Sequence, residues 1–477
     1  MHALERKETG TMTQQFPLDA ARAHALDQLI EEQEKILTDR TAGSVRLREE
    51  AQETLAGGVA SAWQDSRPCA VWIEDGHGAH VRDVDGTDYV DLHGGFGVGL
   101  AGHAHPAIVA AVGEQVRHGT HFAQPTRDLI PVTRLLAERF GQPRWRFTNS
   151  GTEATMAAVH LMRAATGRKK ILKVEGSYHG HHDAVQVSGY ARVADDIGPD
   201  DRPRSVPYGP AYPTEITDLT LVVPFGDLGA VERTLAEHPG EIAGMIIEPI
   251  MMNIGLIIPP DGYHAELQAL LHRHGAHLAY DEVKTGFAVA PGGATELFGT
   301  TPDIVCLAKS MAGGIPCGAI GATRELMDRI ADHTYEQVGT FNGNPLMLAA
   351  VRAMLTEVLT EDAYRGFDAL RATMTGGVEA ALRRHGLPGY VAARGAKGSV
   401  IFTERLRHFR DFLAYDDRWG HLHWLYQHNG GVFLPPWGKT EQWTLSVQHT
   451  AEDAGRFVAN FERFAAAADT ALAAAAA

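Results

Sequence analysis

Between positions 18 and 37 apolar residues recur at helical spacing among Glu, Gln and Arg, which predicts an amphipathic helix. A second helix is expected over 44–55, stopped by Gly57 and Gly58. The rhythm then changes to short apolar runs at 71–73, 79–81 and 89–92, with Asp75-Gly76 and Asp85-Gly86 between them as turns. That pattern is a small antiparallel meander. From about residue 105 amphipathic segments (106–118, 129–140, 151–165, 228–238, 264–274, 323–331) alternate with short apolar runs (146–148, 170–174, 244–247, 277–280, 304–307). Such alternation builds an α/β unit, a mainly parallel sheet with helices on both faces. An Asn342–Pro345 turn opens a helix over 346–359, and the rest reads as a less regular α+β unit. The expected organisation is a disordered 1–16, an N-terminal segment 17–95, a large domain 96–345 and a C-terminal small domain 346–477.

Charge and composition narrow the partners. A formal charge of −16 over 477 residues disfavours nucleic acid and anionic membrane surfaces, so a bound phosphate needs a local cradle. Three cysteines without CxxC spacing give neither a disulfide framework nor a structural zinc site. The polar N-terminus lacks the apolar core of a signal peptide, and no apolar run reaches the ~20 residues of a membrane span. A cytoplasmic location is expected.

Ligands of open α/β sheets bind outside the carboxyl ends of the strands, and three apolar runs end in chemistry. The run 277–280 leads into Asp281 and Glu282, and 304–307 into Ala308 and Lys309. A lysine and an aspartate at neighbouring strand ends would face one crevice. The run 146–148 leads through Ser150, Gly151 and Thr152 into a helix; exposed N–H groups beside hydroxyls cradle phosphate, although the same residues also serve as an ordinary helix cap. After 170–174 comes Tyr178-His179-Gly180-His181-His182-Asp183. Its histidines lack a second ligand cluster at metal spacing, so no metal is expected.

Together these segments resemble the class III (subgroup II) aminotransferases of the fold type I pyridoxal-phosphate (PLP) family. The likeness runs in order through Ser150–Glu153, Tyr178–Gly180, Asp281–Val283, Thr285–Phe287, Asp303, Lys309, Gly313-Gly314 and Gly339–Phe341, and covers about residues 50 to 460. It implies a large domain on a mainly parallel seven-stranded sheet and a smaller α+β domain from both chain ends. Lys309 would carry PLP as a Schiff base and shuttle a proton, and Asp281 would keep the pyridine nitrogen protonated. Ser150, Gly151 and Thr152 would hold the phosphate, Tyr178 and Val283 the two ring faces, Glu248 the neighbourhood of the 3-hydroxyl, and His179 a supporting place. Thr340 would reach the phosphate of a second subunit, which implies a homodimer with shared sites.

Several stretches, including 248–255 and 445–450, are similar to the glutamate-1-semialdehyde aminomutase branch. That branch places an arginine for the substrate carboxylate shortly after Gly-Gly-Val; Gln64 stands there in this chain, beside Trp63. The expected activity is therefore a ping-pong aminotransferase for an amine, a β-amino acid or an unusual amino acid, with a 2-oxo acid as acceptor. The alternative is an aminomutase, racemase or epimerase on the same scaffold. Trp63, Gln64, Phe96 and Trp437 are candidate substrate walls. A PLP-binding regulator is disfavoured, because no basic DNA-binding unit precedes the domain.

Overall fold

A computed structural model describes residues 18–189, 197–403, 405–436 and 443–476. The expected disordered segment 1–16 and the candidate wall Trp437 lie outside the described residues.

Three sheets organise the chain. β1 (Ile73–His77), β2 (His80–Asp83) and β3 (Asp88–Asp91) form the antiparallel meander. Its first turn lies at Gly78-Ala79, where His77 pairs with His80, so the expected turn at Asp75-Gly76 is corrected. Gly76 is inside β1 for a different reason: a Cβ there would stand 2.8 Å from the His103 imidazole. The Asp85-Gly86 turn forms as expected, with Gly86 at φ +84° and Asp83 Oδ1 accepting from the Asp85 and Thr87 N–H groups.

The central sheet comprises β4 (Arg144–Thr148), β5 (Lys170–Val174), β6 (Thr220–Val223), β7 (Ile242–Ile247), β8 (His277–Asp281), β9 (Ile304–Ala308) and β10 (Gly318–Ala322). Their order is β4-β10-β9-β8-β7-β5-β6, and only β10 runs against its neighbours. β7, β9 and β10 are buried along their whole length, which explains their uninterrupted apolar or small residues. The helix Gly151–Thr166 buries Ala154, Ala158, Leu161 and Met162 in one cluster with Ile246, Ala279, Cys306 and Ile320 of the sheet.

The third sheet, β11 (Tyr390–Arg394), β12 (Lys397–Ile401) and β14 (Trp443–Thr444), belongs to the C-terminal unit, while β13 (Val432–Phe433) adds in parallel to β3 of the meander. The helix Ala20–Arg40 packs on Asp417–Asn429 and on Ala451–Ala475. The two ends of the chain thus share one smaller unit beside the large domain. The helix expected over 346–359 forms as Pro345–Ala353, followed by a π-helical turn Met354–Val358. Among the described residues no helix is long and apolar enough to cross a membrane.

Candidate active site

The carboxyl ends of β4, β5, β7, β8 and β9 converge on one pocket, lined among others by Ser150, Gly151, Thr152, Tyr178, Glu248, Asp281 and Lys309. It encloses about 590 Å³ counting its open mouth.

β8 delivers Asp281, buried, with Oδ2 2.8 Å from His179 Nδ1 and Oδ1 accepting the Val283 N–H at 3.0 Å. The next residue, Glu282, turns away from the pocket. Its carboxylate accepts from the Thr285 and Thr295 hydroxyls and from the Ala294 and Thr295 N–H groups. Of the two carboxylates at this strand end, one therefore serves the pocket and one fastens the loop 282–295. β9 delivers Lys309, whose φ of +46° places a non-glycine residue in left-handed backbone. Such strain is uncommon and collects at functional positions.

The helix Gly151–Thr166 points its N-terminus into the pocket. Ser150 Oγ accepts from the Glu153 N–H at 3.2 Å, and Glu153 Oε2 accepts from the Asn149 N–H at 2.8 Å. The capping reading of this segment is thus correct, and the phosphate-cradle reading is compatible with it, because Gly151 and Thr152 line the pocket as well. Crowding fixes two glycines here. A Cβ on Gly151 would stand 2.9 Å from Val283, and one on Gly180 2.7 Å from the Thr152 Cα.

Tyr178 follows β5, and its N–H donates to Glu248 Oε1 at 2.8 Å. Burial pushes its phenol up to about 12. Glu248 Oε2 accepts from the Met252 N–H at 2.9 Å, so this carboxylate binds two loops together at the pocket wall. Trp63 lines the pocket and packs its ring 5.0 Å from both Tyr178 and Phe96. Phe96 is thus held one ring behind the wall. Gln64 is exposed, lies outside the pocket lining, and its Oε1 accepts from the Ala60 N–H. Thr340 is likewise absent from this chain's pocket and lies on an exposed stretch beside Val338 and Phe341.

Sequence reading gave no site role to Asn253, Thr155, Lys284 and Thr285, which also line the pocket. Asn253 is buried, and its Oδ1 has no hydrogen-bond partner among the described residues; His179 Nε2 is in the same condition. A buried amide oxygen in polar want at a pocket wall fits a ligand that brings a donor or hydroxyl. The signal existed in sequence as an Asn five residues after Glu248, in a loop too apolar for a surface turn. Among the described residues no three His, Cys, Asp or Glu side chains come together as a metal site. His179 faces Asp281, while the His181 N–H donates to Thr152.

The donor set fits PLP. It has a lysine amine, a carboxylate fixed for a ring nitrogen, a helix N-terminus for a phosphate, and apolar Val283 with aromatic Tyr178 for a ring.

Comparison with known proteins agrees. The family model described as aminotransferase class-III matches residues 61–440. A glutamate-1-semialdehyde 2,1-aminomutase from Persephonella marina is 37% identical over 417 residues, 86% of this chain and 95% of that protein. A crystal structure of a glutamate-1-semialdehyde-aminomutase from Pseudomonas aeruginosa superposes with a TM-score of 0.86 at 31% identity, covering 94% of this chain and 99% of the other. An omega-transaminase from Sphaerobacter thermophilus superposes with a TM-score of 0.83 at 30% identity, covering 89% and 97%. With its fold, its cofactor pocket and its relatives in agreement, the chain belongs to the class III aminotransferases, PLP-dependent enzymes of fold type I.

Proposed function

We propose that this enzyme moves the amino group of a small, acid-bearing amino compound, with Lys309 as the proton carrier. The observation that carries this reading is the convergence of Lys309, the His179-oriented Asp281 and the helix N-terminus at Ser150–Thr152 on one pocket. When bound, PLP supplies an electron-withdrawing ring that stabilises negative charge at the substrate carbon. The chain supplies the rest. Asp281 would favour a protonated ring nitrogen on the bound cofactor, since an ionised carboxylate only accepts. The Lys309 amine would hold the aldehyde of the cofactor and, as the base nearest the substrate, would carry a proton to and from its carbon. Trp63, Tyr178 and Val283 wall the pocket and limit water.

Of the outcomes open to such chemistry, the relatives support isomerisation within one molecule, the aminomutase alternative, over the transamination that the sequence alone placed first. The curated relatives at 35–37% identity bear the name glutamate-1-semialdehyde 2,1-aminomutase. Transfer between two molecules is kept as a second reading on a specific observation: among the described residues no arginine lines the pocket, and Gln64 is turned away from it. The structural likeness to an omega-transaminase adds to that reading.

One experiment separates them. The PLP-loaded enzyme is given glutamate 1-semialdehyde alone, or amino compounds with and without a 2-oxo acid. A product isomer with the amino group moved, formed without acceptor, supports the mutase; an oxo product that accumulates only with acceptor supports transamination. Borohydride reduction and peptide mapping should label Lys309, and Lys309→Ala should lose the label and at least ~10³-fold in turnover. A label on another lysine overturns both readings. The enzyme is further proposed to act as a homodimer in which Thr340 of one subunit completes the phosphate site of the other.

A further inference from the structure

Outside the pocket lining, one other buried cation reaches towards Lys309. Lys397 lies on β12, directly opposite Thr444 of β14, and is 2% exposed. Its Nζ donates to Thr444 Oγ1 at 2.7 Å. The segment Gly94–Gly97 passes between these two strands and the reactive lysine. A Cβ built on Gly97, which has φ +107°, would stand 2.6 Å from Lys397 Nζ and 3.6 Å from Lys309 Cδ. A Cβ on Gly94 would stand 2.7 Å from the Thr444 Cβ. Two lysines from different parts of the chain thus flank one point, and glycines there leave room for both.

We propose that Lys397, with Thr444, holds the carboxylate of the substrate while its amino-bearing carbon lies at Lys309. This rests on the reading that the pocket works on an acid-bearing amino compound. Among the described residues no arginine lines the pocket, so their lining offers no fork-shaped carboxylate clamp. An ammonium serves as a compact point charge instead. Thr444, which accepts from Lys397, keeps its own proton to donate to the same anion. The arrangement puts the acid group only a few atoms from the reacting carbon, so a short amino acid fits and a long diamine gains nothing from it. A point charge also tolerates more variation in the position of the acid than a bidentate fork does.

The test compares Lys397→Met, Lys397→Arg and Thr444→Val with the wild-type PLP-loaded enzyme. Binding of pentanoate, which has no group able to react, is followed by calorimetry. Single-turnover rates are measured with 5-aminopentanoate and with pentylamine, which differ in the acid group. Lys397→Met is expected to weaken pentanoate by about 30-fold or more, the size of losing a charge-assisted hydrogen bond. It should lower kcat/KM for the amino acid far more than for the amine, and mainly through KM. Lys397→Arg should recover most of the loss, and Thr444→Val, which keeps the ammonium, should lose less than Lys397→Met. No pentanoate binding by the wild type, unchanged binding in Lys397→Met, or equal losses for the two substrates overturns the proposal. Transfer of the whole effect to Lys284→Met overturns it as well, because Lys284 is a buried cation that lines the pocket itself. Borohydride labelling of Lys309 is read in every variant. A labelled Lys309 with an indifferent Lys397 defeats this inference alone, whereas an unlabelled wild type defeats the reading beneath it.

Discussion

Asn253 shows how much one side chain can disclose about a missing ligand. Its Oδ1 is buried without a partner among the described residues, a condition that costs about 1–3 kcal/mol. If PLP brings the missing partner, Asn253→Leu should have opposite effects in the two states. The cofactor-free variant should melt at or above the wild type, whereas PLP retention, measured by dialysis, should fall roughly 10-fold. A variant that loses stability without PLP and retains the cofactor normally would sink this reading. Lys173 is a second residue whose surroundings set its behaviour. Burial lowers its ammonium to about 7, only partly offset by Glu248 and Glu175. In the unfolded chain a lysine titrates near ~10.4, so between these values the unfolded state binds more protons and stability rises with pH. Relative to Lys173→Met, the wild type should gain up to ~1.4 kcal/mol per pH unit between pH 7 and 9 in denaturant titrations. A flat or falling difference would contradict it. The Lys173 Nζ bonds to the Ser177 and Val187 carbonyls tie this charge to the loop that carries Tyr178 and His179.

At the scale of elements, Glu282 fastens the loop between β8 and the helix Gly293–Phe298 by four hydrogen bonds, while burial raises its carboxyl above the ordinary range. Removing a buried charged acceptor leaves several donors unmatched. Glu282→Ala should therefore cost about 3–5 kcal/mol and release the Val283 wall, lowering both the melting midpoint and PLP retention. A variant with wild-type melting and retention would show the clamp to be idle. The same strand end marks where sequence stopped being legible. Alternating apolar and amphipathic segments were enough to place β5, β7, β8 and β9 and the helices between them. β10 was not found, because Gly318-Ala319-Ile320-Gly321-Ala322 has almost no strand propensity by itself; it becomes a strand by filling the narrow space between β4 and β9. A Cβ on Gly318 would stand 2.2 Å from Thr148 Oγ1 and one on Gly321 2.7 Å from the Trp145 ring, so packing dictates these residues. Lys309, Asp281 and the Ser150 cap were readable because each ends an apolar run. Asn253 and Lys397 were not, since their meaning depends on which distant loop comes to face them. Gln64 was named from its place in the chain alone, and the sequence did not show that its side chain accepts from the N–H of Ala60.

For the whole molecule the decisive stretch is 338–341. Val338 is 82% exposed and Phe341 57%, and Phe341 leans on His121 at 4.9 Å, next to Phe122 at 49%. Apolar side chains gathered this way on a surface mark a contact with another protein, and Thr340 stands among them without reaching its own chain's pocket. A second copy that buries this patch would bring Thr340 to the other subunit's helix N-terminus at Ser150–Thr152. Three results should then move together. Phe341→Glu should shift the proposed dimer towards monomer in analytical ultracentrifugation. The resulting monomer should hold PLP more weakly than the dimer, although every residue lining its own pocket is intact. Thr340→Ala should leave the dimer in place yet weaken PLP retention about tenfold, the worth of one hydrogen bond to a charged group at its low end. Complementation closes the argument. In a mixed dimer of Lys309→Ala and Thr340→Ala chains, each site draws its lysine from one chain and its Thr340 from the other. One site has neither, and its counterpart has both, so mixing should restore close to half of the wild-type activity per dimer at low PLP. Full PLP retention by a monomeric Phe341→Glu chain, or mixtures no more active than the sum of the parents, would place Thr340 outside the site and leave each subunit complete alone.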